Sequence, residues 1–298
     1  MFNRLATYTG KWHVTAMQRT RDGSRREANQ ANQEEIAMTT ANVTEETVQL
    51  DGTELYVPKG GSGSPVLVLH GFEGHEGWLA FHDALAESAT VYAPAHPGYT
   101  PTERPEWLTS IAHQAIFYHW FVEQQGIGPI DVVGLGMGGW IAAHMAVTCP
   151  QNLRRLVLVS PAGVKPEHDE VFDIFITPWK QVIDMCFSDP ASSPEYERIY
   201  GGEFQEFGGP REAGRTMSIR MGYRPFFYDP ALPGMLPKVT LPTLIVRGDD
   251  DNIMPAECAT LYQKAIPGSI LKVIDQCGYW AQFERPQELA QLASEFFA

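Results

Sequence analysis

The 298-residue sequence lacks the features that mark membrane, secreted and nucleic-acid-binding proteins. No apolar run approaches the roughly 20 residues that a bilayer-spanning helix needs. Met1 to Gly10 lack the apolar stretch of roughly 7–15 residues found in a secretory signal. Basic residues are scarce, since 22 Lys and Arg face 36 Asp and Glu and leave a formal net charge of −14, which would repel a polyanion such as DNA. We therefore expect a cytoplasmic protein that binds neither nucleic acid nor a membrane.

Cysteine is also rare, and neither cysteine nor histidine forms a recognisable pattern. The absence of C-x-x-C spacing favours reduced thiols over a disulfide framework. His75 and His82 are not spaced as zinc ligands. We expect neither a metal site nor a cofactor. The four cysteines are Cys149, Cys186, Cys258 and Cys277.

Residues 1–44 differ in composition from the rest of the chain. They are rich in Arg, Gln, Asn and Thr and contain few apolar residues. Such a segment buries too little surface to offset the entropy lost on ordering. We expect a disordered extension, with a basic docking arm around residues 19–26 as the alternative.

From Thr47 onward, short apolar runs alternate with helical patterns. Residues 48–57 predict a β-hairpin that turns at Asp51-Gly52. The later runs are continuous, which is typical of strands buried on both faces. Their alternation with helices predicts a mostly parallel sheet of eight strands flanked by helices. After the hairpin, we expect strands at 65–69, 89–93, 130–133, 156–159, 244–246 and 270–274, and helices at 78–87, 106–125, 137–148, 255–265 and 286–297.

The alternation stops between residues 164 and 235, where no run predicts a buried strand. Helical fragments rich in aromatic residues occupy this stretch. We therefore expect an α/β core over residues 45–163 and 236–298, with a helical cap over 164–235 inserted after the sixth strand.

Several motifs follow the buried strands in a fixed order. They are His70-Gly71-Phe72, then Gly134-Leu135-Gly136-Met137-Gly138-Gly139, then the turn that ends at Asp251, and finally Gly278-Tyr279-Trp280 with Glu284-Arg285-Pro286. Taken together, over about residues 45–298, these motifs resemble those of the α/β-hydrolase superfamily.

The resemblance implies a catalytic site with two altered positions. Gly136 stands where the G-x-S-x-G elbow has its nucleophilic serine. Tyr279 stands in the place of the general-base histidine, and none follows Asp251 because the last histidine is His168. Asp251 takes the position of the acid. The backbone N–H groups of Phe72 and Met137, beside Gly71, are implied to form the oxyanion hole.

Each of these positions has two interpretations. Gly136 relieves the backbone strain of the elbow, or it makes room for a water or a substrate atom. Tyr279 is a poor base, since an unperturbed phenol has a pKa of about 10. It is either a hydrogen-bonded filler or a group that orients a ligand or acts as a general acid. Asp251 binds nearby backbone N–H groups or faces a ligand.

Other side chains are weaker candidates for the chemistry. Ser160 lies at a strand end, where serines are more often turn residues. Cys277 has no histidine nearby in sequence to activate it. His70 and His96 line the rim of a pocket or bind backbone groups within their loops.

Three functions remain open from the sequence. The first is a pseudoenzyme with a degenerate triad that binds a small apolar or amphipathic molecule, which the aromatic cap favours. The second is a lyase, isomerase or cyclase that uses Asp251, Tyr279 and the oxyanion hole. The third is a carboxylic-ester or C–C bond hydrolase. Two missing side chains disfavour it, because losing even one triad member costs on the order of a million-fold in rate.

Overall fold

A computed structural model describes residues 42–193, 195–201 and 209–298. Of the extension expected over residues 1–44, residues 1–41 lie outside the described residues. Eight strands form one sheet in the order β1-β2-β4-β3-β5-β6-β7-β8. Strands β3 to β8 pair in parallel, so the predicted mostly parallel eight-stranded sheet is confirmed. The strands are β1 (Thr44–Leu50), β2 (Thr53–Gly61), β3 (Ser64–Leu69), β4 (Ala89–Tyr92), β5 (Ile130–Leu135), β6 (Leu153–Val159), β7 (Thr243–Gly248) and β8 (Ile270–Ile274).

Strands β1 and β2 form the expected antiparallel hairpin. Asp51 has φ 48° and Gly52 has φ 76°, so both turn residues adopt the left-handed conformation that a two-residue type I′ turn requires. Strand β2 continues to Gly61 and pairs antiparallel with β4 there, although the glycine-rich composition of residues 59–64 is typical of a flexible turn.

Helices flank the sheet. The expected helix at 106–125 begins only at Ile111, because the Ser110 hydroxyl accepts the His113 N–H (3.2 Å) and caps the helix there. Arg104 instead binds three carbonyls of residues 105–108, which holds this stretch outside the helix. The described helices are α1 (Ala80–Ala86), α2 (Ile111–Gln125), α3 (Met137–Thr148), α4 (Trp179–Cys186), α5 (Tyr196–Tyr200), α6 (Gly209–Gly222), α7 (Leu232–Met235), α8 (Ala256–Ala265), α9 (Ala281–Glu284) and α10 (Pro286–Phe297).

Helices α4 to α7 lie between β6 and β7, within residues 164–235. None of the helices in the described ranges is both long and apolar enough to cross a bilayer.

The central strands are fully enclosed. All six residues of β5 are buried. The one charged residue among them, Asp131, is compensated by Arg154 and Arg155, whose Nε atoms each lie 3.0 Å from its Oδ1. The carboxyl ends of β3, β5, β6 and β7 meet at one edge of the sheet, where ligands bind in open α/β sheets. The loops that follow these strands carry Gly71, Gly136, Ser160 and Asp251.

Candidate functional site

The turn between β5 and α3 is centred on Gly136. Its φ of 51° lies in the left-handed region, which a residue with a side chain adopts at a cost of about 1–3 kcal/mol. The Gly136 N–H donates to the Val159 carbonyl (2.8 Å), and its own carbonyl accepts the N–H groups of Gly139 and Ala162 (3.1 Å each). The turn is therefore fastened to β6 on one side and to the first turn of α3 on the other.

Tyr279 covers this glycine. A Cβ built on Gly136 would overlap the Tyr279 hydroxyl and lie 2.8 Å from Cζ. The phenol is buried, and its hydroxyl has no hydrogen-bond partner among the described residues. Burial, with the carboxyl groups of Glu73 and Asp251, raises the Tyr279 pKa well above its usual value. The hydroxyl thus stays protonated at neutral pH and occupies the space that a side chain at position 136 would need.

The loop after β3 packs against the tyrosine. The rings of Phe72 and Tyr279 are stacked, with centroids 5.4 Å apart and an interplanar angle of 19°. The Ser218 hydroxyl of α6 donates to the Phe72 carbonyl (3.0 Å). The Tyr99 hydroxyl lies 2.8 Å from Ser218 Oγ and 3.3 Å from Met137 Sδ. Phe72 and Met137 are thereby linked through α6.

The two residues implied for the oxyanion hole lie beside Gly136 and Tyr279. Phe72 stacks on Tyr279, and Met137 directly follows Gly136. Met137 is the first residue of α3, so its N–H has no acceptor one helical turn earlier. This N–H is therefore free, within the helix, to bind an oxygen placed at the turn. Gly71 and Phe72 lie on the loop that stacks on Tyr279.

Asp251 lies at the same edge, in the turn after β7. Its Oδ1 accepts the N–H groups of Ile253 (2.9 Å) and Met254 (2.8 Å). Its Oδ2 and the nearby Ser160 Oγ each lack a hydrogen-bond partner of ordinary geometry in the part of the chain that the structure describes. Burial raises the pKa of Asp251 to about 6, although both backbone N–H groups and the Ser160 hydroxyl oppose the rise. One oxygen of this carboxylate thus holds the turn, and the other is buried close to Ser160.

Ser160 itself is unusual. It is buried and has a φ of 42°, a conformation uncommon for a residue with a Cβ. Its N–H donates to the Val246 carbonyl (2.8 Å), which fixes the strained turn at the end of β6. No histidine is among the groups that perturb its neighbour Asp251.

The remaining histidine and cysteine candidates are engaged or unreactive. His70 Nδ1–H donates to the Gly71 carbonyl (2.9 Å), and its Nε2 accepts the His96 N–H (3.0 Å). His96 Nε2–H donates to the His70 carbonyl (3.0 Å), and Tyr118 occupies its other ring nitrogen. Burial lowers the pKa of both rings, that of His96 to about 3, and burial raises the pKa of the Cys277 thiol. Neither a base nor a thiolate is available from these groups at neutral pH.

Glu73, a buried residue bonded to the segment that carries Tyr279, was not among the site residues expected from the sequence. It follows Phe72 directly and is 4% exposed. Its carboxylate accepts hydrogen bonds from the Gly71 N–H (3.1 Å), the Trp280 indole (3.2 Å) and the Gln282 amide (3.2 Å). Burial raises its pKa to about 7. The available signal was an acidic residue in the loop that follows the parallel strand β3, at the edge of the sheet where ligands bind.

No group of three or more His, Cys, Asp or Glu side chains suited to a metal ion occurs among the residues described. The four cysteines are all free thiols.

Comparison with known proteins places this geometry in a family. The model of the α/β hydrolase family matches residues 66–292. The chain is 30% identical over 252 residues to the dihydrolipoyllysine-residue acetyltransferase component of an acetoin cleaving system from Cupriavidus necator, covering 82% of this chain and 66% of that protein. It is 26% identical over 266 residues to a 2-hydroxy-6-oxo-6-(2'-aminophenyl)hexa-2,4-dienoic acid hydrolase from Metapseudomonas resinovorans, covering 85% of this chain and 91% of that protein.

A solved structure agrees with the sequence relatives. A serine hydrolase involved in carbazole degradation, the CarC enzyme, aligns with a TM-score of 0.68 at 25% identity and covers 86% of this chain and 98% of its own. The family model and these relatives extend over both the β3–β6 and the β7–β8 parts of the sheet. The chain therefore belongs to the α/β hydrolase family.

Proposed function

We propose that this chain is a member of the family without the serine–histidine pair, and that it binds a small apolar or amphipathic molecule beside Tyr279 without hydrolysing it. The observation that carries the proposal is the Tyr279 hydroxyl, which fills the space a side chain on Gly136 would need. Gly136 has no atom that can attack a carbonyl carbon, and the phenol above it stays protonated at neutral pH. The serine hydroxyl that would lose a proton and the histidine that would accept it are thus both absent.

The surroundings support binding rather than turnover. Aromatic rings surround Phe72, which stacks on Tyr279 and also contacts the rings of Trp179, Phe227 and Trp280. The Tyr279 hydroxyl is buried and has no hydrogen-bond partner among the described residues, and Asp251 Oδ2 and Ser160 Oγ are buried without a partner of ordinary geometry there. A mostly apolar site with a few converging polar groups is the usual composition of a small-molecule pocket. Since a buried polar atom left unpaired costs about 1–3 kcal/mol, a ligand that pairs these atoms gains affinity.

Hydrolysis of p-nitrophenyl acetate tests whether the chain lacks a working serine–histidine pair. We expect no enzymatic rate from the wild type. In Gly136→Ser/Tyr279→His, we expect a gain of at least about 100-fold over the wild type, since a nucleophile and a base return beside Asp251 and the N–H groups proposed to form the oxyanion hole. The control is the same double variant with Asp251→Asn, which should lose most of that gain. Saturable turnover by the wild type would overturn the proposal.

A screen of small carbonyl compounds by thermal shift tests the binding claim. Tyr279→Phe is the matched control, because it removes only the hydroxyl. We expect ligands that stabilise the wild type and lose at least about 1 kcal/mol of binding free energy in the variant, the net value of one hydrogen bond. Ligands bound equally by both proteins would place the binding site elsewhere.

A second candidate function has its own observation. Burial brings the pKa of Glu73 to about 7 and that of Asp251 to about 6, beside the Tyr279 phenol. A pKa near the working pH is what a general acid or base requires. This favours proton transfer at carbon, as in an isomerase or lyase. Deuterium exchange from solvent into a panel of ketones, followed by NMR, tests it, and an exchange rate unaffected by Asp251→Asn would reject it.

A further inference from the structure

Glu73 joins two segments that are far apart in sequence. On one side, its Oε1 accepts the N–H of Gly71 (3.1 Å), within the loop that carries Phe72. On the other side, it accepts the amide of Gln282 (3.2 Å) and the indole of Trp280 (3.2 Å), within the segment that carries Tyr279. One carboxylate thus binds both the Phe72 loop and the segment whose Tyr279 covers Gly136.

The loop is shaped around this carboxylate. A Cβ built on Gly71 would overlap Oε2 of Glu73 and lie 3.1 Å from its Cδ. Only glycine leaves room for the carboxylate at this point. The second segment is fastened separately, because Glu284 accepts the N–H groups of Gly278 (2.7 Å) and Asp189 (2.8 Å). Glu284 therefore holds the Tyr279 segment without contacting the Phe72 loop, whereas Glu73 connects the two.

We infer that Glu73 is a positioning residue of the site, whose carboxylate ties the Phe72 loop to the Tyr279 segment and so keeps the Tyr279 hydroxyl over Gly136. The inference rests on the proposed function only in treating Tyr279 as part of the ligand site. All three partners of Glu73 are donors, so the ionised form, which only accepts, matches them fully. A protonated carboxyl would place its own O–H among these donors, so it matches them less well than the ionised form.

Two small cavities adjoin Glu73. Cavities of about 20 and 40 Å³ flank the loop 73–77, and both are lined by Glu73, His75 and Glu76. Each is large enough for one water, which needs roughly 10–15 Å³. The second is also lined by Arg211, which pairs with Glu76 at 3.2 Å and is partly exposed.

Several titratable groups around Glu73 have pKa values far from neutrality. Burial lowers the pKa of His75 to about 4 and raises that of Tyr279 and Cys186 far above neutrality. Two carboxyl groups are closer to Glu73, because burial raises the pKa of Asp251 to about 6 and raises that of Glu76 above its usual value. The groups facing Glu73 or its loop are His75 and Glu76 on the loop itself, Tyr99 after β4, Cys186 at the end of α4, Tyr200 of α5, Arg211 of α6, and Tyr279 before α9.

Fluorine NMR of the full chain tests the inference without any ligand. One sample carries 5-fluorotryptophan and another carries 3-fluorotyrosine, with the two signals assigned from Trp280→Phe and Tyr279→Phe. In the wild type, we expect the Trp280 signal to titrate with a midpoint near pH 7, and the Tyr279 signal to show the same step. In Glu73→Gln, both steps should be lost, while a Tyr279 step near pH 6 from Asp251 persists.

The matched control is Glu284→Gln, a buried carboxylate that binds the same segment but not the Phe72 loop. It should retain the step near pH 7 in both signals. A wild-type Trp280 signal that does not titrate, or a Trp280 step that leaves Tyr279 unmoved, would overturn the inference. Glu73→Asp provides a second variant in case Glu73→Gln does not fold, and it should shift the midpoint and move the Tyr279 signal. Ester hydrolysis by the wild type would refute the proposed function and leave this result standing.

Discussion

The packing of Tyr279 on Gly136 predicts a strong energetic coupling between the two positions. Gly136→Ala should destabilise the wild type by about 2–6 kcal/mol. Of this, about 1–3 kcal/mol comes from a side chain at φ 51°. A further ~1–3 kcal/mol comes from forcing a methyl group into the space of the Tyr279 hydroxyl. In a Tyr279→Ala background only the first cost remains, so the coupling free energy should be about 1–3 kcal/mol.

Urea unfolding followed by circular dichroism measures this cycle, with the midpoints compared at equal m-values. Gly126→Ala is the matched control, because Gly126 also has a left-handed φ (63°) but a Cβ there would meet no atom within 4 Å. Its cost should be the backbone term alone and should not depend on residue 279. A Gly136→Ala cost that is equal in both backgrounds, within about 0.5 kcal/mol, would refute the placement of the hydroxyl over the turn.

Three further predictions concern buried polar groups. Because burial raises the folded-state pKa of Glu73 from 4.5 to about 7, the folded state binds this proton more tightly than the unfolded chain. The unfolding free energy of the wild type, relative to that of Glu73→Gln, should therefore fall by roughly 3 kcal/mol as pH rises from about 4.5 to 8. A free-energy difference between the two proteins that does not change with pH would contradict this. Asp131→Asn should cost about 3–5 kcal/mol, since it leaves two arginines beside a neutral group, and a loss under about 1 kcal/mol in urea unfolding would contradict the ion-pair geometry. Iodoacetamide should alkylate at most Cys149 in the native protein and all four thiols after unfolding, as intact mass shows, because the other three cysteines are buried.

The sheet was predictable because its signals are local. Continuous apolar runs predict strands enclosed on both faces, and β5, buried along its whole length, is such a strand. The hairpin followed from Asp51-Gly52, which accept left-handed backbone angles. The start of α2 was wrong because the hydrogen bond of Ser110 and the carbonyl contacts of Arg104 outweigh the helical pattern of residues 106–110.

The interior of the site was only partly predictable, because its contacts join distant parts of the chain. The elbow motif located Gly136 from sequence spacing alone. The partnership of Glu73 with Trp280 spans 207 residues, and no local pattern encodes it. Likewise, Asp251 was expected either to bind backbone N–H groups or to face a ligand. Its two oxygens divide these roles, one bound to the turn and one left without a partner among the described residues.

The most direct test of the central claim is covalent labelling with a fluorophosphonate, followed by intact mass and peptide mapping. This reagent phosphonylates an activated serine that lies beside an oxyanion hole. We expect no adduct on the wild type and one adduct on residue 136 of Gly136→Ser/Tyr279→His. A stoichiometric adduct on the wild type, at Ser160 or at any other residue, would reveal an activated nucleophile and contradict the proposed function.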